Sequence, residues 1–537
     1  MPNLNLIHSA PRERYEYDLS HDFAFSARIG SIFPVNMLDC LPGDTIKNQM
    51  QLFARLAPLV HPIFQKVKCT LHSFFVPYRL IYPNIYRQVF VPQSATNVKS
   101  SEQLPQLVTV YQQLFKLVDD KALWDGYNTP ILQIMEYVGC PVETWRKDYE
   151  LNRDGTRVIR MSLTPFLAYY LIYKEYFADS LKEETLINSI EDLIQSVGTT
   201  HVGDFQITEL PRVVFKPCFN RDYFNTAQFQ PQMGSDVNIT MDVVNSAITN
   251  VPVNTVRSAV NFTADGPGIE SGVLSVDDSG TNRSLTLKGI TSGFTINDLK
   301  ELFAKQKWAD IGNQFGQRYI EQVLGHFGVQ SSDARLSRPD YIGSKMIPLQ
   351  ISEVTQLSET ANTPLGQMAG RGVGFGGDSL KDFFCEEHGV YVTLMSIVPD
   401  AMYSQGMPKW LKKISAFDFA WPEFATIGEQ EVAMSEILDD GDSVDKVFGY
   451  QERYAEYKRA YNRVAGSFAS DLLSFTMAIH NDVGSPIDIN TILKPQDDDI
   501  DRCFAVPDTE HLYCLLSFDL KRVSVLPYID RTIPNLL

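Results

Sequence analysis

None of the spacings that usually announce an enzyme or a metal site is present: no HExxH, no GxSxG and no CxxC occurs in the 537 residues. Cysteine is scarce, odd in number and scattered, at Cys40, Cys69, Cys140, Cys218, Cys385, Cys503 and Cys514. That distribution fits buried free thiols in a reducing compartment better than a disulfide framework. Long apolar runs are missing too. The most hydrophobic helix-like stretch, Leu163 to Tyr173, stops at Lys174, far short of the roughly 20 residues that span a bilayer. The opening MPNLNLIHSAPRER has no basic start followed by an apolar run, so a secretory leader is not expected. Positive charge is in deficit. With 47 Lys/Arg against 65 Asp/Glu the formal charge is −18, which argues against broad, non-specific nucleic-acid binding by the whole surface. Residues 1–93 run the other way, with nine Lys/Arg and six Asp/Glu, a local +3. These absences point to a soluble protein made in a cytoplasm.

What is present is a globular composition and two kinds of periodicity. Hydrophobic residues at 44% exclude wholesale disorder. Phe23, Phe25, Ala27 and Ile29 alternate as one face of a strand. Met50, Leu52, Ala54 and Leu56 do the same just after the turn signal Leu41-Pro42-Gly43-Asp44. Val67, Cys69, Leu71, Ser73 and Phe75 make a third alternation, ended by Pro77. The strand period returns near the end, where Gly389 to Val398 is apolar on both faces, as in a strand covered from both sides, and Leu512 to Phe518 alternates again. Between them, Leu163–Tyr176, Glu184–Val197 and Thr295–Lys307 have helical periodicity. In the last, Thr295 is the N-cap candidate and Ile296, Leu299, Leu302 and Phe303 form the apolar face. One β-sheet body interrupted by large insertions follows. Residues 235–293 stand apart. They are rich in Val, Thr, Ser, Asn and Gly, carry three sequons (Asn238, Asn261, Asn282), and read as an exposed, β-hairpin-rich insertion.

Three motifs invite chemistry and lose it on context. Gly370 to Gly377 (GRGVGFGG) formally satisfies GxGxxG, but Asn362-Thr363-Pro364 before it reads as loop, so a flexible or tightly packed loop is expected rather than a phosphate cradle. Cys385 and His388 offer only half of a zinc site. Asp497, Asp498, Asp499 and Asp501 lack calcium-loop spacing and read as a solvated acidic loop. No catalytic residue, metal ligand or cofactor is assigned.

The most informative stretch is Phe417 to Lys458. Phe417, Phe419, Trp421, Phe424, Phe448, Tyr450, Tyr454 and Tyr457 are set there among charged residues, a pattern suited to surfaces that become buried only when subunits meet. The candidate subunit-interface residues are Phe417, Trp421, Phe424, Tyr450, Tyr454 and Tyr457. Tyr450, Tyr454, Tyr457 and Tyr461 would also share one face of a helix. With Arg453, Lys458 and Arg459 between them they could make a stacking platform for single-stranded nucleic acid, or pack at a core or interface. A different reading takes Trp421 as a sugar-stacking residue and Glu423 with Glu429 as an acid–base pair of a carbohydrate-binding or carbohydrate-cleaving β-sandwich. The missing leader and the dispersed aromatics stand against it.

Several blocks, in order, resemble the major capsid protein of the Microviridae, especially its gokushovirus-like branch. They are LPGDTIKNQMQLFARLAPLVHPIFQKVKCTLHSFFVPYRLIY (41–82), LTPFLAYYLIYKEYFAD (163–179), RDYFNTAQFQPQMG (221–234), FGQRYIEQVLGHFGVQSSDARLSRPDYIG (315–343), ISEV (351–354), QMAGRGVG (367–374), YSQGMPK, WPEFATIGEQEV and FGYQERYAEYK. Together they span nearly the whole chain. Residues 140–160, 235–293 and those after Tyr461 match poorly.

The resemblance implies a mainly β protein, an eight-stranded viral jelly roll with long helical and β-rich insertions between strands, built into a T=1 icosahedral shell of pentameric units in a virion, after synthesis in a bacterial host's cytoplasm. Along the chain this reads as an N-terminal arm and first strands (1–93), a mostly helical insertion (94–234), the variable insertion that would form a threefold protrusion (235–293), a helical segment with the glycine-rich loop (294–380), and the C-terminal strands with interface segments (381–537). Implied partners are further copies of the chain, packaged single-stranded DNA, a small basic DNA-binding protein, a scaffolding protein, a minor pilot protein and a host surface receptor, with no membrane. Arg12, Arg14, Tyr15, Arg453, Lys458 and Arg459 are the candidates for facing DNA.

Overall fold

The structure is a computed structural model and describes residues 13–84, 104–114, 129–152, 156–197, 205–211, 214–231, 296–315, 318–328, 332–333, 336–355, 368–425, 428–440, 446–481, 487, 489–506 and 509–526. The chain falls into two units. One is Met1–Pro231 with Phe315–Leu537, and the other is Gln232–Gln314. In the second unit the described part lies on the helix Ile296–Phe315, which runs well past Lys307; Thr295, its expected N-cap, is outside the described residues, as is the whole of 235–293.

In the first unit eight strands make the frame: β1 (His21–Ala27), β2 (Ile32–Cys40), β3 (Thr45–Leu56), β4 (Val67–Pro77), β5 (Asp340–Thr355), β6 (Met368–Ser379), β7 (Gly389–Pro399) and β8 (Leu512–Ser524). Every pairing among them is antiparallel. One sheet runs β1–β8–β3–β6 and the other β2–β7–β4–β5. Strand β5 belongs to both. Its first part, Asp340–Leu349, pairs with β4, and its last, Gln350–Thr355, pairs with β6, so the sheet curls over on itself. The orders 1-8-3-6 and 2-7-4-5 are those of an eight-stranded jelly roll, which uses two facing sheets to limit its open edges. The expected jelly roll is what the chain forms.

Period-2 patterning decides which side chains fill it. Ile46, Met50, Leu52, Ala54 and Leu56 of β3 and Leu512, Cys514, Leu516, Phe518 and Leu520 of β8 point inward. They meet Cys69, Leu71 and Phe75 of β4 and Tyr391, Met395 and Ile397 of β7 in one core. A polar tie crosses it, the Asn48 amide donating to the Tyr391 hydroxyl at 3.0 Å. The back of the second sheet is covered as well. Phe74, Val76, Val390, Val392 and Leu394 join a second core with the helix Thr164–Ile172, whose Phe166, Leu167, Tyr169 and Tyr170 are fully buried. Strand β7 is therefore buried on both faces, as its sequence required. The buried tyrosines keep hydrogen-bond partners: the Tyr169 hydroxyl donates to the Ile32 carbonyl at 2.9 Å and that of Tyr170 to the Pro211 carbonyl at 3.1 Å. All seven cysteines are free thiols, five of them buried.

The glycine-rich segment corrects the sequence reading. It is not a loop but the interior of β6, and its glycines alternate with larger residues for a steric reason. A Cβ on Gly372 would lie 2.0 Å from Leu56 Cδ1 and one on Gly374 would lie 2.5 Å from Leu349 Cδ2, so these positions leave the space between the sheets to leucines of neighbouring strands. Arg371, Val373 and Phe375 take the opposite face. The acidic run is corrected too. Asp497–Asp501 forms a short helix in which Asp499, only 6% exposed, pairs with Arg502 at 2.6 Å, and Asp501 pairs with Arg28 at 2.5 Å. Asp499 and Asp501 are tied into the fold, while Asp497 and Asp498 stay exposed as the sequence suggested.

Candidate assembly surface

A third core, built on Tyr223, Phe224, Tyr403, Val432, Ile437 and Phe448, carries the segment singled out in the sequence. The chain enters it tightly. At Gly406 a Cβ would sit 1.8 Å from the Glu436 carbonyl oxygen, and only glycine permits that approach. The next fifteen residues hold seven exposed large apolar side chains: Met407, Trp410, Leu411, Ile414, Phe417, Phe419 and Trp421. Ile414 is 92% exposed and Phe417 74%. This exposed apolar ridge along the chain is the candidate for a surface that becomes covered on association.

The ridge is held from beneath by polar contacts. Asp418 accepts hydrogen bonds from the backbone N–H of Ser415 (2.6 Å) and of Ile414 (2.9 Å), which lower its pKa. The Trp421 indole donates to the Ala416 carbonyl at 2.8 Å, and its backbone N–H donates to the Tyr454 hydroxyl at 3.2 Å. Lys413 passes 4.2 Å over the Tyr457 ring and ends in a nearly buried ion pair with Glu456 at 2.9 Å. Burial alone would raise the Glu456 carboxyl, but hydrogen bonds from Gln430 (2.7 Å) and Lys413 hold it below its usual value. Glu436, bonded by the Tyr223 hydroxyl at 2.9 Å, goes the other way, pushed up by burial. A cleft of about 720 Å³ lies beside the ridge, with Lys409, Lys412, Lys446 and Arg453 interleaved with Glu429, Glu431 and Glu436 on its walls.

The tyrosines at the end of the segment do not share a helix. Val447–Glu452 is a strand paired with Glu429–Ala433, and the helix that follows, Ala455–Lys458, has four residues. Tyr454 between them is left-handed, at φ 63°. That conformation is costly for a residue with a ring, and the Gln430 side chain helps fix it by accepting from the Tyr454 N–H at 3.0 Å. The strand ladder outweighs the helical spacing.

The sequence candidates therefore divide. Phe417, Trp421 and Tyr457 are exposed, with Phe424 half-buried and its ring centroid 6.1 Å from that of Phe417. Tyr450 is half-buried in the strand, and Tyr454 is buried and supports the ridge through its hydroxyl on the Trp421 N–H. Among the DNA-facing candidates, Arg12 lies outside the described residues. Arg14 stacks over Phe384 at 5.3 Å, far along the chain from the ridge, and the Tyr15 hydroxyl donates to Glu13 at 2.7 Å. Arg453 sits over the Tyr454 ring at 5.5 Å, while Lys458 (2.8 Å) and Arg459 (3.2 Å) both pair with Glu452, which offsets part of their charge. Sequence reasoning missed Trp410, Leu411 and Ile414. Their signal was present in MPKWLKKIS, where bulky apolar residues alternate with lysines just upstream of the segment chosen. Among the described residues no group of three or more His, Cys, Asp or Glu could hold a metal ion, and no helix is long and apolar enough to cross a membrane.

Comparison with known proteins places the chain among capsid proteins. The family model described as capsid protein (F protein) matches residues 6–130 and 148–533. The capsid protein VP1 of Chlamydia phage 1 is 27% identical over 97% of this chain and 96% of its own length. That of Bdellovibrio phage phiMH2K is 29% identical over 87% and 84%, and that of Spiroplasma virus 4 is 25% identical over 85% and 82%. These relatives are structural virion proteins, which removes the glycosidase reading of Glu423 and Glu429. With a jelly roll, an exposed apolar ridge and a family match across most of its length, the chain belongs to the capsid protein (F protein) family of the Microviridae.

Proposed function

We propose that the chain self-assembles through pentameric units into a small T=1 icosahedral shell enclosing a circular single-stranded DNA genome. The observation that carries this reading is the ridge from Met407 to Trp421, whose seven bulky apolar side chains are exposed on the isolated chain. Obligate interfaces bury on the order of 2,000 Å² or more, and their energy concentrates in central aromatic anchors. Phe417, Trp421, Phe424 and Tyr457 supply anchors, Tyr454 braces Trp421 and Tyr457, and the mixed charges of the adjacent cleft suit a polar rim that sets register. Residues 235–293 would form the outer protrusion that contacts a host receptor. A net charge of −18 leaves most of the genome's charge unneutralised, which supports a small basic DNA-binding partner. Scaffolding and pilot proteins of the same virus complete the proposed set. Negative-stain microscopy of the purified chain tests the reading. Uniform small isometric shells are the expected result, and a chain that stays monomeric at all concentrations would refute it.

A further inference from the structure

The outward face of the β1–β8–β3–β6 sheet is polar over most of its length, with Asp22, Ser517, Gln51, Asp519 and Gln49, but two rows at one end are not. Cross-strand register places Ala24, Leu515, Phe53 and Phe375 in one row and Ser26, Tyr513, Arg55 and Val373 in the next. Phe375 is 74% exposed; Phe53, Leu515 and Tyr513 are also exposed, as are Arg55 and, two residues along β6, Arg371. No carboxylate occupies either row. The nearest outward ones, Asp22 and Asp519, begin one and two rows further on. Neither Arg55 nor Arg371 has an ion-pair partner among the described residues. The alternation that leaves glycine to the core at 372 and 374 is what sends Arg371 and Phe375 to this face.

We infer that this sheet face is a base-stacking platform for single-stranded nucleic acid, with Phe53, Phe375 and Tyr513 offering rings and Arg55 and Arg371 meeting phosphates. Strands about 4.8 Å apart and rows about 7 Å apart give room for two or three bases on the apolar rows. Ring stacking is indifferent to base identity, as a shell that covers any genome sequence requires. A locally cationic, carboxylate-free patch on a chain of charge −18 is where a polyanion is least repelled. The inference rests on the packaging reading above and adds the site.

The test is fluorescence anisotropy of the full chain with a labelled oligo-dT 12-mer across a salt series, alongside microscopy and nucleic-acid content of assembled particles. Phe375→Ala is expected to weaken binding about tenfold. The double variant Arg55→Gln/Arg371→Gln is expected to reduce the log–log salt slope by about 1.4. Leu151→Ala, an exposed residue on the helix Val142–Asn152, should change neither. Oligonucleotide binding and salt slope equal to the parent in all variants, with filled particles still forming, would overturn the platform and leave the capsid reading intact. Loss of assembly with binding retained would overturn it in favour of a contact between copies. Parent particles that never contain nucleic acid would instead refute the packaging reading itself.

Discussion

Replacing Gly372 by alanine asks directly whether the glycine strand exists for packing. The new methyl would lie 2.0 Å from Leu56 Cδ1, 2.8 Å from its Cγ and 3.2 Å from its Cβ. Leu56 is 4% exposed and belongs to the core between the sheets, so it cannot swing into solvent. Overpacking of this kind costs about 1–3 kcal/mol, and alanine recovers roughly 0.5–1 kcal/mol because glycine is the more disordered residue in the unfolded chain. The net expectation is a loss of about 1–2 kcal/mol, read as a lower urea midpoint with unchanged slope when unassembled chain is followed by circular dichroism. The reasoning is sharpened by a second background. Leu56→Ala alone should cost about 2–5 kcal/mol through the cavity it leaves, but it removes the two closest atoms. Gly372→Ala added to it should then be neutral or stabilising, a coupling of about 2 kcal/mol. If the glycine substitution is harmless in the parent, or costs the same in both backgrounds, Leu56 is not what demands glycine there.

Three further outcomes follow from the same contacts. Lys413→Met leaves Glu456 in a nearly buried site with only Gln430 as a side-chain partner, and should lower stability by about 3 kcal/mol; adding Glu456→Gln should recover most of it, as urea midpoints will report. His511, 1% exposed, has its pKa pushed down to about 4 by burial and by Arg28. Its neutral form is the folded one, and stability is lost as pH falls from about 6.5 toward 4, by up to roughly 3 kcal/mol. Asp499, raised to about 6 by burial, acts in the opposite sense, gaining stability as pH falls from about 6 to 3.8, so a His511→Gln variant should show a smaller acid loss than the parent in pH-dependent melts. Replacing residues 236–292 by a short Gly/Ser linker should leave the melting transition of the remaining chain in place while impairing particle stability or host attachment. An unfolded product would show that the insertion boundary is wrong.

Much of the frame was legible because strands that line a two-sheet core must alternate, and the alternation at Met50–Leu56, Val67–Phe75 and Leu512–Phe518 is clean. The doubly apolar stretch at 389–398 was readable for the complementary reason, since it packs against the other sheet on one face and the Thr164–Ile172 helix on the other. Strand β6 was not readable, because glycine carries no hydrophobic signal; its role depends on Leu56 and Leu349, which arrive from distant parts of the chain. The ridge was half legible. Aromatics among charges marked 417–457, but whether a ring faces out depends on tertiary packing: the third core keeps Phe448 inside and Tyr454 is buried as well, while Ile414 and Phe417 stay out. The tyrosine spacing misled for a local reason, because strand pairing of Val447–Glu452 and the left-handed Tyr454 override a helical period.

The most direct test of the account is sedimentation velocity, backed by microscopy, of the chain carrying Trp410→Ser, Ile414→Asp and Phe417→Ser together. These side chains are 65%, 92% and 74% exposed, so the fold should keep its melting temperature within a few degrees. The account predicts that the parent sediments as closed shells while the triple variant remains a folded, small species at the same concentration. Shells forming equally well from the variant would contradict the assignment of the Met407–Trp421 ridge to assembly.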